Sequence, residues 1–284
     1  MIFDTHSHCY WDTMLPRIDD IVENMSQKRV TRAVQIGCDI ETSQQAIALA
    51  RRFPGIFYAT VGHHPETAQN MSKVESEKFK VLEQFEQMVR ENRDVVVAIG
   101  ETGFDHHYLD GTDGGTIAID LDTLSPRAIE QIENQKRWWF LQWELAKRYD
   151  LPLVIHTRDA RDVTAEFMIE HGINRAVIHC YSEDPAFAQR LMDFSPEIYF
   201  AFGGILTYKK SEQVQATAQM LPLNRILLET DAPFLSPQTV RGTVNEPSNT
   251  RYVLEKLIEL RTESAEEIER VVYENSLRFY GFKI

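Results

Sequence analysis

The feature that most constrains this chain is an alternation. Short runs rich in branched apolar residues take turns with longer runs in which apolar residues recur every three or four positions. The short runs, at 2–6, 31–36, 57–62, 95–101, 153–156, 176–179, 198–202 and 226–231, read as strands. Most are almost wholly apolar, the pattern of parallel strands buried on both faces rather than of a half-exposed sheet. The runs between them, at 18–28, 42–53, 75–91, 126–149, 160–171, 186–193, 213–220 and 247–260, read as helices. In one of these Trp138, Leu141, Leu145 and Tyr149 form a single stripe that Trp139 and Trp143 widen, and the tryptophans are expected to be core. Eight strand–helix units predict a closed (β/α)8 barrel of the TIM type, with an open doubly wound sheet as the alternative. Such a barrel takes about 250 residues, so 284 residues fit one domain spanning 1–284. Ser264-Ala265-Glu266-Glu267 is a capping box that opens one more helix, expected to pack outside the barrel. The interval between the fourth and fifth strands is the longest. It holds Asp110-Gly111-Thr112-Asp113-Gly114-Gly115, which marks an acidic insertion at about 106–124. Its acids lack the spacing of a calcium-binding loop.

Charge and composition narrow the function. The chain has 30 Lys and Arg against 43 Asp and Glu, a net charge of −13. This argues against a protein that coats nucleic acid through a broad basic face, but not against an enzyme that grips a strand end in a metal-containing pocket. Three cysteines without a C-x-x-C pair argue against a disulfide scaffold and a cysteine-only zinc site. No apolar run is long enough for a membrane span, and the N-terminus has no signal core. A cytoplasmic location and no membrane partner are therefore expected. No surface stripe is apolar enough to predict an interface, which leaves a monomer as the expectation.

Unusual chemistry gathers at one height. His6 and His8 close strand one, His63 and His64 strand three, Glu101 strand four, His156 strand five, His179 strand six and Asp231 strand eight. In a barrel the C-terminal strand ends share one face, and active sites sit there. His6 and His8 lie two apart and so point to one side. A carboxylate ending an apolar strand is rarely buried without a partner. Four histidines and two carboxylates at strand ends describe a metal site. Mixed imidazole and carboxylate donors suit zinc, manganese, nickel or iron better than calcium. Six ligands exceed the three of a mononuclear catalytic zinc, so two divalent ions are expected, with Glu101 bridging.

The segments Asp4-Thr5-His6-Ser7-His8, Gly62-His63-His64-Pro65, Gly100-Glu101-Thr102-Gly103-Phe104-Asp105, His156-Thr157-Arg158-Asp159-Ala160, His179-Cys180-Tyr181-Ser182, Glu229-Thr230-Asp231-Ala232-Pro233 and Asn245-Glu246-Pro247 resemble the TatD family of metal-dependent deoxyribonucleases, within the amidohydrolase-like barrels. The likeness runs over nearly the whole chain. It implies a TIM-type barrel with His6, His8, Glu101, His156, His179 and Asp231 as ligands of divalent ions, zinc, manganese, magnesium or nickel. It also implies hydrolysis of DNA phosphodiesters, often as a 3′-end exonuclease on single strands. Two features depart from the family: the insertion is longer than expected, and His63 stands where an aliphatic residue is usual. The family and its relatives also cleave other bonds, so an amide or ester hydrolase acting on a small molecule or an aminoacyl-tRNA is the alternative.

On this reading His6, His8, Glu101 and Asp231 hold one ion, and Glu101, His156 and His179 the other. Asp231 acts as general base. His64 contacts phosphate or protonates the leaving oxygen, unless it only caps the turn at Pro65. Arg158 contacts phosphate, unless it forms a buried pair with Asp159 or a neighbour. Tyr181 and Tyr208 are open to base stacking or to packing. Lys209 and Lys210 are open to a rim role or to plain solvation.

Overall fold

The computed structural model describes residues 1–71, 75–112 and 124–284, with residues 75–77 described by their backbone alone. Most of the expected insertion, 113–123, lies outside the described residues. Among the described residues eight parallel strands pair in chain order: β1 (Ile2–Ser7), β2 (Val30–Gln35), β3 (Phe57–Val61), β4 (Val96–Asp105), β5 (Leu153–Arg158), β6 (Arg175–Ile178), β7 (Glu197–Phe202) and β8 (Ile226–Leu228). The helices are α1 (Ile18–Gln27), α2 (Ile40–Arg52), α3 (Pro65–Ala68), α4 (Glu75–Glu91), α5 (Pro126–Tyr149), α6 (Arg161–His171), α7 (Pro185–Phe194), α8 (Glu212–Met220), α9 (Thr250–Leu260) and α10 (Ala265–Phe279). The fold is a TIM-type (β/α)8 barrel. The sequential strand order excludes the doubly wound alternative, whose order reverses. The seam between the first and last strands is made just past their regular part. Ser7 bridges to Ala232, His8 N donates to Ala232 O at 2.7 Å, and Asp231 N donates to His6 O at 2.9 Å.

Side-chain alternation on the strands builds two apolar layers. Val154, Val177 and Tyr199 point into the barrel, where they meet Phe3, Val34, Val97 and Leu227. Their neighbours Leu153, Ile155, Ala176, Ile178, Ile198 and Phe200 point outward against the helices. Both faces are therefore buried, as the nearly continuous apolar runs require. Each valine, leucine, isoleucine or phenylalanine among them contributes about 1.5–3 kcal/mol by leaving water. Trp138 and Trp139 are fully buried in the outer layer, as expected from the stripe on α5. That helix starts where Ser125 accepts from Ala128 N and Pro126 takes the first turn, a position where a missing N–H costs nothing. In α2, Asp39 and Thr42 exchange side-chain and backbone hydrogen bonds in a capping box.

The last helix corrects an expectation. It does open at Ser264, whose side chain accepts from Glu267 N, and Ile268 and Val272 join the outer layer as expected, but it is more than an outer appendage. Its end carries Leu277, Phe279 and Tyr280 into the inner layer, and Phe282 packs against it. The Phe3 ring lies 5.7 Å from that of Tyr280 and 5.9 Å from that of Phe282. The Tyr280 hydroxyl donates to Thr5 O at 2.9 Å. The segment stoppers the N-terminal mouth, where interior side chains would otherwise meet water.

Candidate metal centre

The opposite mouth is polar. His156 lies two residues beyond Val154 and His179 two beyond Val177, so each imidazole stands directly above an inward-facing apolar side chain. β4 is ten residues long and runs four past Glu101. Gly103 lets it come close to β5: at φ 136° a Cβ there would fall 2.1 Å from His156 O. β8 stops at Leu228, earlier than expected, and Asp231 sits on the following turn with φ 56°. This left-handed backbone is sparsely used by residues other than glycine and is tolerated best by Asp and Asn. It is fixed from below. Thr230 donates from N and Oγ1 to the buried Asp4 at 2.9 and 2.7 Å, and the buried Asn245 amide donates to Thr230 O and Phe234 O.

All six residues expected as ligands meet. Glu101 Oε1 is 2.8 Å from His156 Nδ1 and 2.6 Å from His179 Nε2, and Oε2 is 3.4 Å from His6 Nε2. Asp231 Oδ1 is 3.5 Å from His6 Nε2 and 3.4 Å from His8 Nε2. Three-donor sets that could hold an ion form around His6, His8 and Asp231, around His6, Glu101 and His179, and around His64, Glu101 and His156. A fourth joins Cys38 to His8 and Glu101. Glu101 belongs to three of the four sets, the position a shared carboxylate needs. The cradle also fits an ion by what it leaves unmet. His6 is buried, yet neither of its ring nitrogens has a hydrogen-bond partner among the described residues. Such orphan atoms are costly unless a ligand takes them.

The charges follow from these contacts. Burial favours the neutral form of Glu101, but the imidazoles of His179, His64 and His6 and the bond from His156 outweigh it and hold the carboxyl well below its usual range. Burial likewise opposes charge on His156, yet hydrogen bonds to Asp105 and Glu101 raise it to about 8. His179 is raised further, Glu101 overcoming its burial. His6, buried and facing His179, is pushed down. Asp231 is kept low: burial would raise it, but the His8 bond and the charges of His6 and His179 prevail. Without an ion, His156 and His179 thus carry protons that an incoming cation must expel.

Two carboxylates were not singled out from the sequence. Asp105 Oδ2 is 3.0 Å from His156 Nε2, which turns Nδ1 toward Glu101. Glu229 Oε1 faces His179 Nδ1 at 3.6 Å and accepts from Cys180 N at 2.6 Å, leaving Nε2 on the Glu101 side. Carboxylates behind histidines fix ring orientation and strengthen the ligand. Asp105 was legible in principle, because Glu101, Gly103 and Asp105 alternate along a strand; ending the strand at Glu101 hid it.

Other expectations divide. His64 caps the turn, its Nδ1 accepting from Glu66 N at the start of α3, and its Nε2 lies 3.6 Å from Glu101 Oε1. His63 is buried against Trp138 and Phe85, away from the centre. Arg158 does not pair with Asp159. Asp159 binds His107 at 2.7 Å, whereas the exposed Arg158 guanidinium lies over the Tyr108 ring at 5.1 Å. Tyr181 cannot stack a base: it is buried, and its hydroxyl donates to Asp184 O. Tyr208 is half-buried, with Arg241 over its ring at 4.7 Å. Lys209 and Lys210 are exposed. Glu246 tethers its loop to α1 through Asn24, rather than facing the centre.

The family model described as TatD related DNase matches residues 3–281. The chain belongs to the TatD family. A Bacillus subtilis relative described as the uncharacterized metal-dependent hydrolase YabD is 32% identical over 99% of both chains. YjjV of Escherichia coli, described in the same words, is 30% identical over 98% of this chain and 97% of its own. The crystal structure of Escherichia coli YjjV, a TatD homolog, superposes with a TM-score of 0.83 at 27% identity, covering 99% of this chain and 98% of that one. A TatD-family hydrolase from Entamoeba histolytica has the same fold, with a TM-score of 0.78. This TatD-family chain is a metal-dependent hydrolase, and its His, Asp and Glu clusters are suited to hold the metal. No described helix is long and apolar enough to cross a membrane.

Proposed function

We propose that the chain hydrolyses phosphodiester bonds of DNA at a dinuclear centre, as an exonuclease acting on the 3′ ends of single strands. The observation that carries the dinuclear reading is the placement of Glu101. One oxygen faces His156 and His179, and the other faces His6, which is shared with His8 and Asp231. His6, His8, Glu101 and Asp231 would hold one divalent cation, and Glu101, His156 and His179 a second. The cations would supply Lewis acidity toward the phosphate oxygens and lower the pKa of a water nucleophile toward neutrality. Asp231 is the general base: it is ionised, and its carboxylate stands beside His8 and His6, where it orients the water and accepts its proton. His64 is held neutral, burial pushing it down to about 3. Because Nδ1 accepts from Glu66 N, its proton is on Nε2, aimed into the centre. That N–H binds a phosphate oxygen or the leaving oxygen. Arg158, exposed at the end of β5 and propped on Tyr108, is the cation for the flanking phosphate. The family description favours DNA; the overall charge of −13 favours the rival, an amide or ester hydrolase using the same ligands on a small molecule or an aminoacyl group.

The test offers the purified protein a 3′-labelled single strand beside a panel of lactones and amides. Loss of strand cleavage with chelator and its return with manganese or magnesium is expected. Chelator-insensitive cleavage would rule out the centre as the site, and turnover of the panel without the strand would install the rival.

A further inference from the structure

Beside the centre, on the β1–β8 side of the mouth, stand two large apolar side chains that the reaction above does not use. Trp11 follows β1 and is 39% exposed; Phe234 follows β8 and is 42% exposed. Their rings meet edge to face at 4.9 Å. They are tied to the centre through the backbone, Trp11 N donating to His8 O and Phe234 N to Asp231 O. The Trp11 ring lies 6.0 Å from that of His8. Neither side chain joins the apolar layers of the barrel. Trp138, Trp139 and Trp143, by contrast, are buried.

Two aromatics held open to water, each within three residues of a donor of the centre, form a platform rather than core. The segment after Asp231 adds a cation, since Tyr208 is pinned through its hydroxyl to Ser236 O and carries the exposed Arg241 on its ring. Aromatic faces that accept any base, beside a cation that accepts phosphate, are how single strands are gripped without sequence preference.

We propose that Trp11 and Phe234 form a base-stacking subsite for the nucleotide that abuts the scissile phosphate on the His8 and Asp231 side. The inference rests on the phosphodiesterase reading and specifies where that substrate is held. The indole offers an open face to the nucleobase while the near-perpendicular Phe234 ring fixes the indole plane. Arg241 stands further along the same rim for an adjoining phosphate. Selectivity on this side comes from the presence of a base, not from its identity.

The experiment compares a five-residue thymidylate strand with the same strand carrying abasic residues at its last two positions, with manganese present. Wild-type protein is expected to show a KM about tenfold lower for the intact strand. Trp11→Ala should raise that KM about tenfold, change kcat less than twofold and abolish the difference between the two strands. Phe234→Leu should move KM in the same direction by less. Thymidine 5′-monophosphate should quench tryptophan emission in the wild type and not in Trp11→Phe, whose melting temperature matches the wild type and so certifies its fold. A wild type that cleaves both strands with equal KM, or a Trp11→Ala protein with unchanged KM, overturns the subsite and leaves the nuclease reading standing. A wild type that cleaves neither strand overturns both.

Discussion

The two mouths of this barrel are made from the ends of the same eight strands, yet they obey opposite rules. At the N-terminal mouth Phe3, Phe279, Tyr280 and Phe282 cover the inner layer, and the buried hydroxyl of Tyr280 has an acceptor. At the C-terminal mouth His6 is buried with both ring nitrogens unmet, and Asp159, Cys180 and Asp231 adopt positive φ. One end closes over its apolar layer with rings, and the other leaves imidazole nitrogens unpaired and bends the chain at Asp231 to aim a carboxylate at them. Strain of this kind persists where the surroundings over-determine it, as Asp4, Thr230 and Asn245 do beneath Asp231. Stability and chemistry are thus assigned to different ends of one scaffold.

Mutations should separate the two ends. The largest effect is expected from Glu101→Ala, which removes the carboxylate common to both clusters. Turnover should fall by about a thousandfold or more, while the ion-free protein melts within a few degrees of the wild type. Calorimetry beside the activity assay checks this, and near-normal activity would sink the bridging role. The mirror experiment is Phe279→Ala at the plug. It should cost about 3–5 kcal/mol of stability in a denaturant titration, with kcat unchanged below the transition. A large kcat loss there would mean that the mouths are coupled. Asp105→Asn is subtler. It keeps the shape but loses the charge behind His156, so metal affinity should drop about 10- to 100-fold by competitive chelator titration, with little change in melting.

The smallest expected effect is a trend with pH. His156 is raised to about 8 from 6.5 in the ion-free protein, where it is stabilised by Asp105 and Glu101 against the cost of burial. Its contribution to folding is fully present below 6.5 and is lost as pH rises through about 8. Metal binding needs the neutral ring, so affinity should climb by about tenfold per pH unit for each proton expelled, the part due to His156 ending near pH 8. Stability of the ion-free protein and its metal affinity should therefore move in opposite directions between pH 6.5 and 8. Parallel trends would contradict the assigned contacts. Isothermal titration in buffers of different ionisation enthalpy counts the released protons.

Much of this was legible because a parallel barrel converts sequence position into height. A polar residue that ends an apolar run must emerge at one mouth, so His6, Glu101, His156 and His179 could be placed together without knowing any angle. Asp231 meets His6 and His8 although β8 ends before it, because Asp4 and Asn245 pin Thr230 in the turn that carries it. What the pattern hid depends on contacts between distant segments. Glycine at 100 and 103 disguised the second half of β4 as a loop, and with it Asp105. The apolar stripe of α10 looks the same whether it lies along a barrel wall or ends in the barrel's base; only Phe279, Tyr280 and Phe282 meeting Phe3 distinguish the two. Tyr181 and Arg158 were ambiguous for the same reason, since a partner decides the role of an amphipathic side chain. Trp11 carries no local sign that it faces water.

The seam has a consequence of its own. The contacts that join the first and last strands involve His6, His8, Asp231 and Ala232, so the latch of the cylinder and the donors of one ion set are the same few residues. A half-folded chain with that latch undone has no such set to offer, whatever the rest of its secondary structure. Cations in the medium would therefore act as a selective zip: blind to unsealed forms, they would hold the sealed form shut and lengthen its lifetime as their concentration rises above the dissociation constant.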